Sequence, residues 1–160
     1  MRLKKLRIKK IKVTSDKKVS VAYEKISKTG IWDEYTFTCS EAPRPELLTA
    51  LSKLAPHVIE MCELPESYIT RIDVRSVSFS YGGEKEVMGA TITSQMKLED
   101  SYSNLNLNTP HKASDSYSDA PADEKQLLSD DCISDLGHLC EEVELYIDGE
   151  RAQGKLFAVS

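Results

Sequence analysis

The stretch Leu3-Lys4-Lys5-Leu6-Arg7-Ile8-Lys9-Lys10-Ile11-Lys12-Val13-Thr14 decides how the chain reads. Side chains alternate between the two faces of a strand, and here Leu6 and Ile8 share one parity while Ile11 and Val13 share the other. A one-residue slip moves side chains to the opposite face unless an extra residue is absorbed. The pattern therefore predicts a bulge or sharp bend at Lys9-Lys10. The same slip recurs over about 69–81, where Ile72 and Val74 are followed by Val77, Phe79 and Tyr81. Two bent strands are the first constraint on the fold.

Working outward, Ser15-Asp16-Lys17 supplies a turn into a strand over 18–26, with Val19, Val21 and Tyr23 alternating with polar residues. Ser27-Lys28-Thr29-Gly30 connects to a third strand over 31–40. Its parity puts Tyr35, Phe37 and Cys39 toward the core and Trp32, Glu34, Thr36 and Thr38 on the other face. Pro43 and Pro45 start a helix over about 44–63 whose stripe is Leu47, Leu48, Leu51 and Leu54, and Pro56 kinks or restarts it. Tyr81-Gly82-Gly83-Glu84 joins the fourth strand to a fifth over 86–98. Residues 99–123, rich in Ser, Asn and Asp, read as a long loop. An acidic C-terminal helix lies within 124–149, with Ser129 as N-cap and a stripe of Ile133, Leu136, Cys140, Val143 and Ile147. Residues 150–160 form a tail.

This order is β-β-β-α-β-β followed by a loop and a helix, an α+β arrangement with a β-rich core over 1–98. Five antiparallel strands in this order either form a sheet with helices packed on one face or close into an OB-like barrel. Bent strands are what closure of a small barrel requires.

The chain has 160 residues and 40% hydrophobic content, enough for one modest core. No apolar run approaches the ~20 residues of a membrane-spanning helix, and no signal-type apolar region follows the basic start. Cys39, Cys62, Cys132 and Cys140 form no C-x-x-C pair and sit among apolar neighbours, as reduced, buried thiols do. These features together point to the cytoplasm. No phosphate-loop, dinucleotide, zincin or hydrolase motif is present, so no enzyme, metal or cofactor is expected. His57, His111 and His138 are scattered; His57 and His138 read as helix-surface or capping residues.

The net charge of −5 is an average over unlike parts: residues 1–28 carry eleven basic and two acidic residues, and the remainder ten basic and twenty-four acidic. A local +9 against −14 marks a polyanion-binding hairpin on an acidic body, with the acidic helix placed to compete for the basic strand. Lys4, Lys5, Arg7, Lys9, Lys10, Lys12 and Lys18 would meet nucleic-acid phosphates, and Trp32, the aromatic placed in solvent by parity, would stack on a base. Equally, such lysines defend an edge strand against aggregation. A second ligand set is Arg75, Asn106, Asn108, His111 and Lys112, whose amides and cations suit a nucleotide. In the tail, Gln153, Leu156 and Phe157 look like the Gln-x-x-Leu-Phe peptide that docks bacterial DNA-metabolism proteins on the replicative sliding clamp.

The runs 75–90 (RSVSFSYGGEKEVMGA), 104–113 (NLNLNTPHKA) and 125–129 (KQLLS) together resemble a family of small, uncharacterised phage and prophage proteins from gut bacteria. The resemblance implies a phage protein acting in the host cytoplasm, in phage DNA metabolism or against host defence. Phage single-strand DNA-binding proteins are similar in size, although their acidic tails end in an aromatic residue and this chain ends Phe-Ala-Val-Ser. The expectation is therefore a non-enzymatic phage accessory protein that binds nucleic acid, single-stranded DNA above all, in replication or recombination. The alternative is an anti-defence sponge for a nucleotide signal, or an inhibitor of one host protein. A homo-oligomer is compatible with each.

Overall fold

A computed structural model describes residues 6–117, 120–149 and 151. Its strands are β1 (Leu6–Val13), β2 (Val19–Ile26), β3 (Trp32–Cys39), β4 (Ile72–Gly82), β5 (Val87–Lys97), β6 (Asn104–Asn108) and β7 (Lys112–Ala113). Its α-helices are α1 (Pro45–Ser52), α2 (Ala55–Met61) and α3 (Asp130–Ile147), with a 3-10 turn over Glu66–Arg71 leading into β4. All pairings in the sheet are antiparallel, in the order β3-β2-β1-β4-β5-β6, and β7 adds to β5 beyond β6.

Both phase slips are bulges. Ile8 pairs with Tyr23 and Lys10 with Ala22, leaving Lys9 as the extra residue; Val74 pairs with Ser94 and Ser76 with Thr93, leaving Arg75 as another. The bulges return Ile8, Ile11, Val74, Val77 and Phe79 to one face, where all five are buried. They bend the strands without closing a barrel. Among the described residues β3 pairs only with β2 and β6 only with β5, so the sheet is open, and the expectation of five strands gives way to six along the path plus β7.

The additional strands come from 99–123, read above as a loop. Asn104-Leu105-Asn106-Leu107-Asn108 alternates with a period of two and pairs residue for residue with Lys97–Thr93. Few core formers are needed because β6 is a sheet edge with Leu105 exposed.

The helices cover one face only. Pro56 restarts the helix as anticipated, separating α1 from α2. Ser129 caps α3, its Oγ accepting from the Cys132 N–H at 3.1 Å. The buried set on α3 is Cys132, Leu136, Leu139, Val143 and Tyr146, rotated slightly from the stripe read from sequence, because Tyr146 inserts. Its ring stacks on Phe37 at 6.1 Å, and its hydroxyl donates to the Glu41 carbonyl at 2.6 Å. His57 is buried and joined to Asp135 at 2.7 Å, tying α2 to α3, so it is no surface residue. The four cysteines are free thiols, but only Cys132 is fully buried. No helix among the described residues is long and apolar enough to cross a membrane.

Candidate functional site

The other face of the sheet carries no helix, and the side chains it presents are those of opposite parity to the core. Lys10 and Lys12 on β1 face it, opposite Ser78 and Ser76 of β4. Ser76 in turn pairs with Thr93 of β5, and Thr93 and Gln95 pair with Asn108 and Asn106 of β6. Side chains directly opposite one another in a register share a face. Four strands therefore bring Lys10, Lys12, Ser76, Thr93, Gln95, Asn106 and Asn108 together. With Arg75 and the turn after β1 they line a concavity of about 480 Å³.

The bulge at Arg75 aims its guanidinium into this hollow. Its Nη2 is ion-paired with Asp73 Oδ2 at 2.6 Å, while its buried Nε has no hydrogen-bond partner among the described residues. A buried N–H without an acceptor is costly, and this Nε is closed to solvent, so contact with an arriving anion falls to the outer part of a side chain that is 26% exposed. Lys10 and Lys12 are exposed and make no ion pair among the described residues. Thr93 Oγ1 donates to Asn108 Oδ1 at 2.8 Å, which orients that amide with its N–H₂ directed elsewhere as a donor. Asn104 Nδ2 donates to Gln95 Oε1 at 3.3 Å. The hollow thus offers cationic and neutral donors on a floor of hydroxyls and amides, the complement of a sugar–phosphate surface.

The two residue sets read from sequence are redistributed. Lys10 and Lys12 from the basic set and Arg75, Asn106 and Asn108 from the second share one site, whereas His111 and Lys112 do not join it. His111 sits on the same face, but Ser80 Oγ and Thr91 Oγ1 engage its Nε2 and Nδ1, each at 2.8 Å, so the ring pins the chain after β6 to the sheet. Lys112 pairs opposite Ala90, a core residue, and lines a separate cavity with His57 and Cys132 on the helical side.

Arg7 and Trp32 are also corrected. Arg7 is not an exposed phosphate contact: Glu24 holds it at 2.8 Å, Glu86 at 3.1 Å, and its side chain is 16% exposed. Its guanidinium lies 4.0 Å from the Trp32 ring centroid, so the indole lies on the outer face as expected but has one surface covered. Lys9 is the bulged residue of β1, and Lys18 is exposed just before β2. The acidic helix does not mask the basic strand, since α3 packs on the opposite side of the sheet from Lys10 and Lys12. Lys4, Lys5, Gln153, Leu156 and Phe157 lie outside the described residues.

Sequence reading missed Ser76, Thr93 and Gln95 as part of the site. The signal was present in the polar parity Thr91, Thr93, Gln95 of a strand whose other parity is Ala90, Ile92, Ser94, Met96. Comparison of the chain with protein-family models, curated proteins and solved structures finds no match.

Proposed function

We propose that the chain is a non-enzymatic nucleic-acid-binding protein that grips the sugar–phosphate backbone of a single strand on the helix-free face. The observation that carries this reading is the convergence of Lys10, Lys12 and Arg75, from two bulged strands, beside the amides of Asn106 and Asn108 in one concavity. With Trp32 engaged by Arg7, binding is led by the backbone and not by base stacking. An accessory role in phage replication or recombination in the host cytoplasm, with the Gln153, Leu156, Phe157 tail docking the host sliding clamp, is part of the same proposal and rests on the sequence resemblances.

Three phosphate contacts on a single strand give a salt slope of about −2 in log K against log salt, so affinity should fall roughly 20-fold from about 50 to about 200 mM. Anisotropy titration of a labelled oligodeoxythymidine measures this. Lys12→Gln should weaken binding and flatten the slope by about 0.7. No binding at the lowest salt, or an affinity indifferent to salt, overturns the reading.

A second reading, capture of a nucleotide, is favoured by the volume of the hollow, which lies in the size range of small-molecule sites. Thermal-shift measurement against cyclic and linear nucleotides separates the two. A stabilisation by one nucleotide without oligonucleotide binding selects this second reading.

A further inference from the structure

The two edges of the sheet are unlike. β6 is five residues long and rich in Asn. β3 is eight residues long, Trp32-Asp33-Glu34-Tyr35-Thr36-Phe37-Thr38-Cys39, and pairs with β2 without a register shift. Among the described residues nothing pairs with its outer edge. Strands left at an edge are normally blunted by lysine, proline or a bulge, because a row of unpaired N–H and C=O groups templates another strand. β3 has no lysine, proline or bulge, and its charged side chains, Asp33 and Glu34, both lie near its start. It also leaves Tyr35 46% exposed, although its parity is that of the core, and Ile31 at its start is 63% exposed. Tyr35 stacks on Tyr23 at 5.3 Å and Phe37 on Tyr146 at 6.1 Å, so an aromatic row runs to this edge and stops.

We infer that β3 pairs antiparallel with β3 of a second copy of this chain, about a two-fold axis through Thr36, joining two sheets into one. The occupant follows from the strand's self-complementarity. With Thr36 opposite its own symmetry mate, Tyr35 faces Phe37 of the second copy on the helical side, and the aromatic row continues across the axis. Asp33 then faces Cys39 and Glu34 faces Thr38, so no two acids of β3 stand opposite each other. Aromatic cross-strand pairs stabilise such ladders, and like charges placed opposite each other destabilise them. The two-fold axis of an antiparallel strand pair runs perpendicular to the sheet, so the helix-free faces of the two copies would form one surface.

Sedimentation velocity of the full chain over a dilution series tests this. A species of twice 17.9 kDa is expected at high concentration. Thr36→Lys sets two lysines face to face on the axis and should weaken dimerisation roughly tenfold or more. Thr36→Asp should do the same, and an equimolar mixture of the two variants should recover the dimer. Far-UV circular dichroism of each variant checks that the fold is retained. A wild-type chain that stays monomeric at all concentrations overturns the inference, as does a dimer indifferent to Thr36→Lys or a mixture that does not recover.

Discussion

Gly89 shows how closely the helix-free face is tiled around His111. A methyl group there would lie 2.7 Å from His111 Nε2, 2.9 Å from Ser80 Oγ and 3.2 Å from the Lys112 carbonyl. The first two atoms belong to the hydrogen bond that pins the chain after β6, and the third is backbone with little room to move. Gly89→Ala should therefore cost about 1–3 kcal/mol in urea unfolding, the usual penalty for overpacking. Cys132 makes a prediction about pH. Burial, with the Asp135 and Glu60 carboxylates adding to it, pushes its thiol up from an ordinary 9.0 to about 12. The folded chain then keeps a proton that the unfolded chain releases, so this contribution is whole below pH 9.0 and declines as pH rises toward about 12. Burial raises the Tyr81 and Tyr146 hydroxyls as well, extending the loss to higher pH. Urea midpoints should fall across that window, and a midpoint constant through it would contradict the burial. The alternation behind Ile8 and Ile11 was legible because a bulge is a local event. The exposure of Tyr35 was not, because it depends on which strand lies beside β3, and a strand's parity does not say which neighbours it has.

At the scale of elements, α3 depends on how it begins. Ser129 accepts from the Cys132 N–H, and Asp130 and Asp131 complement the positive end of the helix dipole. Ser129→Ala should cost about 1 kcal/mol and Ser129→Gly only a few tenths, measured by thermal unfolding, since glycine also serves as an N-cap. Equal losses in the two variants would point to packing and not to capping. The cap was readable from the sequence, whereas the precise buried face of α3 was not. Tyr146 has a polar tip, and only the distant Glu41 carbonyl lets that tip be buried. β6 was obscured for a related reason. Its Asn-Leu alternation has strand period, but its composition is that of a loop, and an edge strand on a shallow concavity is where these two signals conflict.

Over the whole molecule, the period of two along every strand divides the chain's labour. One parity builds the helix-covered core, with Ile11, Val77 and Ile92 all fully excluded from solvent, and the other is released from packing and lines the hollow. Stability should be graded accordingly. Amides at the centres of β1 and β4, flanked on both sides, should exchange with deuterium slowest and those of β6 fastest, because edge elements open by local fluctuation. Exchange of β6 as slow as that of β1 would show it locked into the core. The candidate site was half legible: its cations and amides were named from sequence, but in separate sets, since only the strand order brings positions 10, 75 and 106 together. The bulge at Arg75 carries a further consequence. Deleting that one residue would leave an unbroken β4 ladder with every core side chain still on its proper face, and the hollow would lose its guanidinium. What distinguishes the hollowed face from a plain sheet is here written partly as the length of the strand, so descent could add or erase it by a single codon without disturbing the fold.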